Sequence, residues 1–436
     1  MNDYPNAVKE ILSSLISEMS ESPESFVKNP GKDFTRNRKL PFETVMHLLI
    51  SMGGNSIYKE LLESQGYDVN TATTSAFVQQ RDKILPSALK FLFDEFTGSF
   101  TDTKNYKGYR LCAVDGSSLN IAANLDDSET HFQTHSDKKG YNLMQLDAMY
   151  DLCSRLYIDV RIHSPRFSNE NKSLTDMIAC SQIKDKVIVI ADRCYESYNN
   201  FAHIENKGWH YLIRVRDLGS SGMLSALPLP TSGEFDICFD RVLTIRNTKE
   251  IKAHPEIYRF LPSTSPFDFM DSENAYYPIS FRVVRVEIVD GVYETLITNL
   301  NQSEFLPEEL KMLYGMRWGI ETSFRELKHT VGLVNFHAKK QEYIIQEIYA
   351  RMIIYNFAEM ITSHVVISQT GTKHSYQVNF TVAIHVCRHF LRHYNGVNPH
   401  DVEALIQKNI LPIRPGRTAK RILRAKTAVS FVYRVA

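Results

Sequence analysis

No run of about 18 consecutive apolar residues occurs in this 436-residue chain, so no membrane-spanning helix is expected. Cysteine is sparse: Cys112, Cys153, Cys180, Cys194, Cys238 and Cys387 are scattered, with no Cys-x-x-Cys pair. That pattern argues against a disulfide framework and a structural zinc site, and it suits a reducing cytosol. The opening Met-Asn-Asp-Tyr-Pro-Asn lacks the basic start and apolar run of a secretory leader. There is no internal repeat and no low-complexity tract. Excess charge of either sign is also missing, since 50 basic residues balance 50 acidic ones. A cytoplasmic protein is therefore expected, and any surface for a polyanion must arise by segregation of charge.

Segregation is present. Residues 414–436 carry Arg414, Arg417, Lys420, Arg421, Arg424, Lys426 and Arg434 without an acid. Residues 28–39 carry Lys28, Lys32, Arg36, Arg38 and Lys39 against Asp33 alone. A hydrophobic content of 43% is ample for packed cores, and the length calls for more than one domain.

The chemistry concentrates in Tyr314-Gly-Met-Arg317-Trp318-Gly-Ile-Glu321-Thr-Ser-Phe-Arg-Glu-Leu-Lys328. Leu310, Leu313, Ile320, Phe324 and Leu327 recur at helical steps, so the segment is read as one helix. At about 100° per residue, Tyr314, Arg317, Glu321 and Lys328 share one stripe. A carboxylate can hold a divalent metal and the cations can grip phosphates, which is a layout for phosphodiester chemistry. The plainer alternative is a surface helix with Glu321 and Arg325 as an i,i+4 ion pair.

Two further acids end apolar runs. Tyr109-Arg-Leu-Cys-Ala-Val-Asp115 and Lys186-Val-Ile-Val-Ile-Ala-Asp192 read as buried strands, each delivering a carboxylate at its end. Such an acid is costly to bury unless a cation compensates it. Either could instead be a turn or helix-cap aspartate. Asp147, Asp151 and Asp159 fall in the hairpin between these strands and are read as structural.

The spacing Tyr-x2-Arg-x3-Glu-x6-Lys resembles the "YREK" pattern of bacterial insertion-sequence transposases of the insertion-sequence-4-like group. That resemblance implies an RNase-H-like catalytic domain with an Asp-Asp-Glu triad. Asp115 matches the family's "VDGS"-like strand and Asp192 its "ADRGY"-like strand, although Cys194 stands where the family has glycine. It implies Asp115, Asp192 and Glu321 as ligands of two Mg²⁺ or Mn²⁺ ions. DNA is the implied partner, as terminal inverted repeats and target, with a homodimer in the paired-end complex and a protein associated with the bacterial nucleoid. Tyr314, Arg317, Trp318 and Lys328 are the implied DNA contacts beside the metals. The Arg-Pro-Gly-Arg string at 414–417 and the stretch at 34–45 also match, so Arg36, Arg38, Lys39, Arg414, Arg417, Lys420, Arg421 and Arg424 are expected at DNA. Three carboxylates at about 4 Å repel by up to roughly 4 kcal/mol per pair, so without metal one acid should be protonated or the site loose.

The expected organisation is multidomain α/β. Residues 1–100 form a helical, helix-turn-helix-like terminal-repeat-binding module, with Pro41 opening one helix and Gln79, Gln80 and Arg81 on another. Residues 101–217 and 301–335 make the RNase-H-like mixed sheet with its helices. A β-rich insertion, with an Asp290-Gly291 hairpin turn, occupies 218–300. Residues 336–436 are helical and end in the basic tail. His385, His389 and His393 recur every four residues beside Arg388 and Arg392, and are read as a basic helical face rather than a metal site. A catalytically idle DNA-binding relative, or a nuclease that cuts without joining, are the alternative functions.

Overall fold

The computed structural model describes residues 2–36, 38–100, 104–133, 140–167, 169–219, 222–367, 375–392 and 401–413. Five helices come first: α1 (Asp3–Glu21), α2 (Phe42–Ser51), α3 (Ile57–Ser64), α4 (Thr74–Arg81) and α5 (Pro86–Gly98). α1 buries an apolar stripe at three- and four-residue steps, Val8, Leu12, Ile16 and Met19. Pro41 stands just before α2 as its cap residue, and the Thr73 hydroxyl caps α4 at Ala76 N.

The sheet domain follows as β1 (Tyr109–Ile121), β2 (His131–Phe132), β3 (Tyr141–Asp151), β4 (Leu156–His163), α6 (Glu170–Cys180), β5 (Lys186–Ala191), α7 (Tyr198–Asn206) and β6 (His210–Val215). β3 pairs antiparallel with both β1 and β4, while β5 runs parallel to β1 and β6 parallel to β5. The order β4-β3-β1-β5-β6, with only β3 reversed, is the RNase-H-like arrangement expected of the chain. Alternation along β1 fills two cores. Leu111 and Ala113 face the helices of the chain ends, whereas Cys112 and Val114 join Leu174, Met177 and Phe201 of α6 and α7.

The β-rich stretch expected at 218–300 lies between β6 and the helices that follow. β7 (Phe235–Thr244), α8 (Lys249–Ala253), β8 (Tyr258–Phe260), β9 (Tyr276–Val289) and β10 (Val292–Thr298) continue the same ten-stranded sheet, joined where β10 pairs antiparallel with β6. The β9–β10 hairpin turns at Asp290-Gly291 as expected, with Gly291 at φ 73°, a conformation that favours glycine.

The rest of the described chain is α9 (Pro307–Met316), α10 (Trp318–His329), α11 (Gln341–His364), β11 (Tyr376–Val378), α12 (Phe380–Arg392), α13 (Val402–Lys408) and β12 (Ile410–Pro412). α11 is buried nearly along its whole length and packs on α1, α2, α5 and α12, so the helices before and after the sheet share a core. Among the described residues no helix is long and apolar enough to cross a membrane.

Candidate active site

Register brings the two aspartates together. The parallel ladder ends at Val114 opposite Ala191, so the next residue on each strand is Asp115 and Asp192. β1 does not stop there, contrary to expectation. It runs on to Ile121 because β3 continues to pair with it, from Asp115 opposite Ala148 to Ile121 opposite Asn142. Asp115 is thus in mid-strand, half-buried, and its Oδ1 accepts from Gly116 N at 2.9 Å. Asp192 caps a single tight turn, Oδ1 accepting from Cys194 N at 2.8 Å, so the cap and the site acid are one residue. Cys194 is exposed and does not have the positive φ that would require glycine.

The helix that carries the third acid is broken, not continuous. Arg317 separates α9 from α10, with Arg317 N bonded to Tyr314 O and Ile320 N to Arg317 O, three residues apart rather than four. Arg317 keeps αR angles (φ −50°, ψ −32°), so the stripe survives the break. Its Nη2 donates to Glu321 Oε1 at 2.7 Å, and the guanidinium is 6% exposed against 32% for the carboxylate. Lys328 Nζ donates to Ser118 O of β1 at 3.0 Å, fastening α10 beside the aspartates. Tyr314 is 4% exposed and packed between Arg214 and Arg317, so its ring is largely covered by protein. Trp318 is 61% exposed with the Arg317 guanidinium 5.5 Å from its ring, which leaves it open to a base.

Burial pushes the Asp115 carboxyl up, to about 6. Gly116 N–H and Arg317 pull it down, and the negative charges of Asp192 and Glu321 push it up again. The three acids therefore interact through their charges, and burial favours the protonated form of Asp115. As they stand, no group of three His, Cys, Asp or Glu side chains among the described residues closes around a metal position. Arg317 already occupies Glu321, in the place a cation would take. The donor set fits a hard divalent ion in its chemistry, all-oxygen and mutually repelling, provided that this ion pair yields.

Elsewhere, Arg36, Arg38 and Lys39 are exposed. Arg36 and Arg38 line a cavity of about 420 Å³ with Lys32 and Lys83, while Lys39 Nζ donates to Asn70 O at 3.0 Å. Arg81 is not a surface donor: it is 2% exposed, and its Nη1 lies 2.8 Å from Glu347 Oε1. Arg388 and Arg392 of α12 also turn inward, to Val331 O, Ser51 O, Glu60 and Glu63, which removes them from the basic face expected there. Arg414, Arg417, Lys420, Arg421 and Arg424 lie outside the described residues, as does His393.

Asp151 pairs with Arg110 at 2.7 Å and Asp159 with Arg161 at 3.1 Å, the structural roles expected of them. Asp147 is fully buried under the site, accepting from Ser173 Oγ at 2.6 Å and Gln145 Nε2 at 3.0 Å, with His163 Nε2 at 3.2 Å. Glu170, in the first turn of α6, stands next to this group and has no counterpart in the sequence reading. An acid opening a helix is favoured by the helix dipole alone, so nothing in its position singled it out.

Residues 106–357, more than half of the chain, match the family model described as the transposase DDE domain. The chain belongs to that family and is a transposase by class. Among solved structures it is similar to the cryo-EM structure of the piggyBac transposase synaptic complex with hairpin DNA. That likeness is at 10% identity over 95% of this chain and 87% of that chain, with a TM-score of 0.43. No curated protein matches it.

Proposed function

We propose that this chain is the transposase of a bacterial insertion sequence of the insertion-sequence-4-like, YREK-bearing group. In this reading it binds terminal inverted repeats, cleaves the phosphodiester at the element's end and joins that end to target DNA. The observation that carries the reading is the meeting of Asp115 and Asp192 at the end of the β1–β5 ladder, with Glu321 coupled to them by charge. Asp115, Asp192 and Glu321 would hold divalent magnesium or manganese, two ions by analogy with the group. Divalent ions held there would activate a water or 3′-hydroxyl and stabilise the leaving oxygen.

The protein's own side chains do the positioning. Lys328 braces α10 against β1, so Glu321 faces the aspartates on a rigid element. Arg317 neutralises Glu321 until DNA and metal arrive, and then serves a phosphate through its planar fork. Trp318, exposed beside it, stacks on a displaced base. The cavity lined by Lys32, Arg36, Arg38 and Lys83 supports a phosphate grip by the helices before the sheet. The basic 414–436 stretch adds sequence-independent attraction. Two ends held together call for a homodimer in the paired-end complex.

The test uses a pre-cut and an uncut element end with Mg²⁺. Asp115→Asn, Asp192→Asn and Glu321→Gln should each abolish cleavage and joining while end binding persists. Metal-dependent cleavage at the normal rate by any of the three removes that residue from the triad. End binding without cleavage by the unaltered protein would favour an idle DNA-binding relative, and cleavage without joining a simple nuclease.

A further inference from the structure

The direction in which Glu321 points depends on how α10 is turned about its own axis. The break at Arg317, four residues before Glu321, separates α10 from α9, so the preceding helix does not by itself set that turn. Lys328 Nζ reaches Ser118 O at 3.0 Å, but Lys328 is seven residues beyond Glu321, about 10 Å along the axis. At the level of Glu321 the tie is Ser323. Two residues further on, it lies about 200° round the helix from Glu321, on the opposite face, and is 1% exposed.

Ser323 Oγ donates to Ile320 O at 2.8 Å and lies 2.8 Å from the Tyr157 hydroxyl of β4. A serine hydroxyl has one proton to give. With that proton on the Ile320 carbonyl, Tyr157 is the donor to Ser323. The bonds therefore run one way, from Tyr157 to Ser323 to the carbonyl of the residue just before Glu321. Tyr157 is itself fixed. It is fully buried, and the Asn356 side chain of α11 bonds its backbone at both N (3.0 Å) and O (2.8 Å). One turn before Ser323, Gly319 shares its face, and a Cβ there would lie 2.9 Å from Leu152 Cδ2. α10 is thus seated close on the β3–β4 hairpin.

Two buried hydroxyls need partners wherever they occur, so the pair could serve the core alone. Its direction argues for more. The Tyr157 ring also packs on Phe324 of α10, with centroids 5.9 Å apart, but apolar contact is non-directional. A hydrogen bond is not, and it favours one rotation of the helix. With side-chain ends about 5–6 Å from the axis, a turn of about 10° moves the Glu321 carboxylate by about 1 Å. A misplacement on that scale costs on the order of a hundredfold in rate.

We propose that Tyr157 and Ser323 are positioning residues for Glu321: their buried hydrogen bond sets the rotation of α10, and with it the aim of the carboxylate toward Asp115 and Asp192. This rests on the role given to Glu321 under the proposed function. Neither hydroxyl lies on the face that carries Glu321, so both act through the helix.

The experiment is single-turnover cleavage of an uncut duplex element end by excess full-length protein in Mg²⁺, at a temperature where circular dichroism shows each variant folded. Tyr157→Phe keeps the ring and removes the donor. It should lower the rate at saturating Mg²⁺ by roughly 10–100-fold and raise the Mg²⁺ concentration for half-maximal rate, while end binding stays as in the unaltered protein. Ser323→Ala should do the same, and it carries the comparison if Tyr157→Phe does not fold. The double variant should lose no more than the larger single loss, because both changes remove one bond. Tyr211→Phe is the control. Tyr211 is also fully buried, but its hydroxyl bonds Glu205 at 3.2 Å, away from α10, and its loss should leave the cleavage rate unchanged. If Tyr157→Phe and Ser323→Ala cleave at the unaltered rate while Glu321→Gln is inactive, the positioning role is refuted and the triad stands. If Tyr211→Phe slows cleavage as much as Tyr157→Phe, general loosening of the core explains the loss and the positioning role is likewise refuted. Additive losses in the double variant would overturn it too, since the two hydroxyls would then act separately. Normal cleavage by Glu321→Gln would instead remove the reading of Glu321 on which the positioning role rests.

Discussion

Arg317→Ala should make the DNA-free protein a better metal binder. Arg317 Nη2 lies 2.7 Å from Glu321 Oε1, so Glu321 cannot turn to a cation without giving up that pair. The strength of the pair follows from its surroundings. An exposed i,i+4 pair is worth about 0.3–0.5 kcal/mol, whereas breaking a fully buried one costs about 3–5 kcal/mol. Here the guanidinium is 6% exposed and the carboxylate 32%, which puts the pair between these limits. Taking about 1–2 kcal/mol, the alanine variant should bind Mn²⁺ roughly 5–30-fold tighter, at 1.4 kcal/mol per factor of ten. The unaltered protein should recover that gain when an element end is bound, because phosphate then competes for Arg317. By linkage, Mn²⁺ should in turn tighten end binding by the same factor, and the variant should show little such coupling. Calorimetry with and without a short duplex end reads all of these. Equal or weaker Mn²⁺ binding by Arg317→Ala would refute the argument, since the pair would then not be what withholds Glu321.

Three further outcomes are expected. Glu347→Ala strands the buried Arg81, whose guanidinium also reaches Gln346 Oε1 at 2.8 Å and Tyr343 O at 2.5 Å, and should destabilise the helical body by about 3–5 kcal/mol in urea melts. Arg81→Met combined with Glu347→Leu should cost far less, and equal losses would dispose of the ion-pair account. Arg285 holds the Asp217 carboxyl down, to about 2, through its hydrogen bonds at 2.8 and 2.9 Å. The stability that the unaltered protein holds over Asp217→Asn should thus be full above pH ~4, the ordinary aspartate value, and should fade as pH drops toward 2. A gap that widens in acid would contradict this sign. Finally, Arg36→Ala with Arg38→Ala should flatten the log–log salt dependence of end binding by up to about 0.9 per lost phosphate contact, while an unchanged slope would take that cavity off the DNA.

What the sequence made legible followed from apolar repetition. β5 sits where an uninterrupted β-branched run placed it, and both aspartates follow from apolar runs of this kind. The far half of β1 was not legible. Gly116, Ser117, Ser118 and Asn120 look like a loop, and they are strand only because β3 pairs with them. The break at Arg317 left no trace because both halves keep helical angles and the same apolar stripe. Charge on a helix proved least informative. Arg81, Arg388 and Arg392 read as surface donors, yet each turns into the interior to meet partners distant in sequence, which no local pattern encodes. Continuation of the sheet through β10 was hidden for the same reason: edge pairing to β6 is a tertiary choice.

α11 explains why such inward charges are worth keeping. At one end Glu347 and Gln346 take Arg81 of α4, and Gln346 Nε2 also donates to Ile84 O. Farther along, the Asn356 side chain accepts from Tyr157 N at 3.0 Å and donates to Tyr157 O at 2.8 Å, bonding β4 as a strand neighbour would. Tyr355 and Glu359 meet Glu326 of α10 and Arg155 beside β4. One helix is thus bonded to the N-terminal helices, to the sheet, and to the helix that presents Glu321. Buried ionic contacts of this kind contribute little net stability compared with apolar packing, but they are intolerant of altered register. Under the proposed function, in which a DNA end is held and cut at one bond, register matters more than affinity. A shift of about 1 Å between the grip and the carboxylates is enough to cost on the order of a hundredfold in rate. The helices that precede the sheet and the site at the end of β1 and β5 are therefore fixed to each other through α11, and under the proposed function DNA gripped by the first would be delivered in a set position to the second.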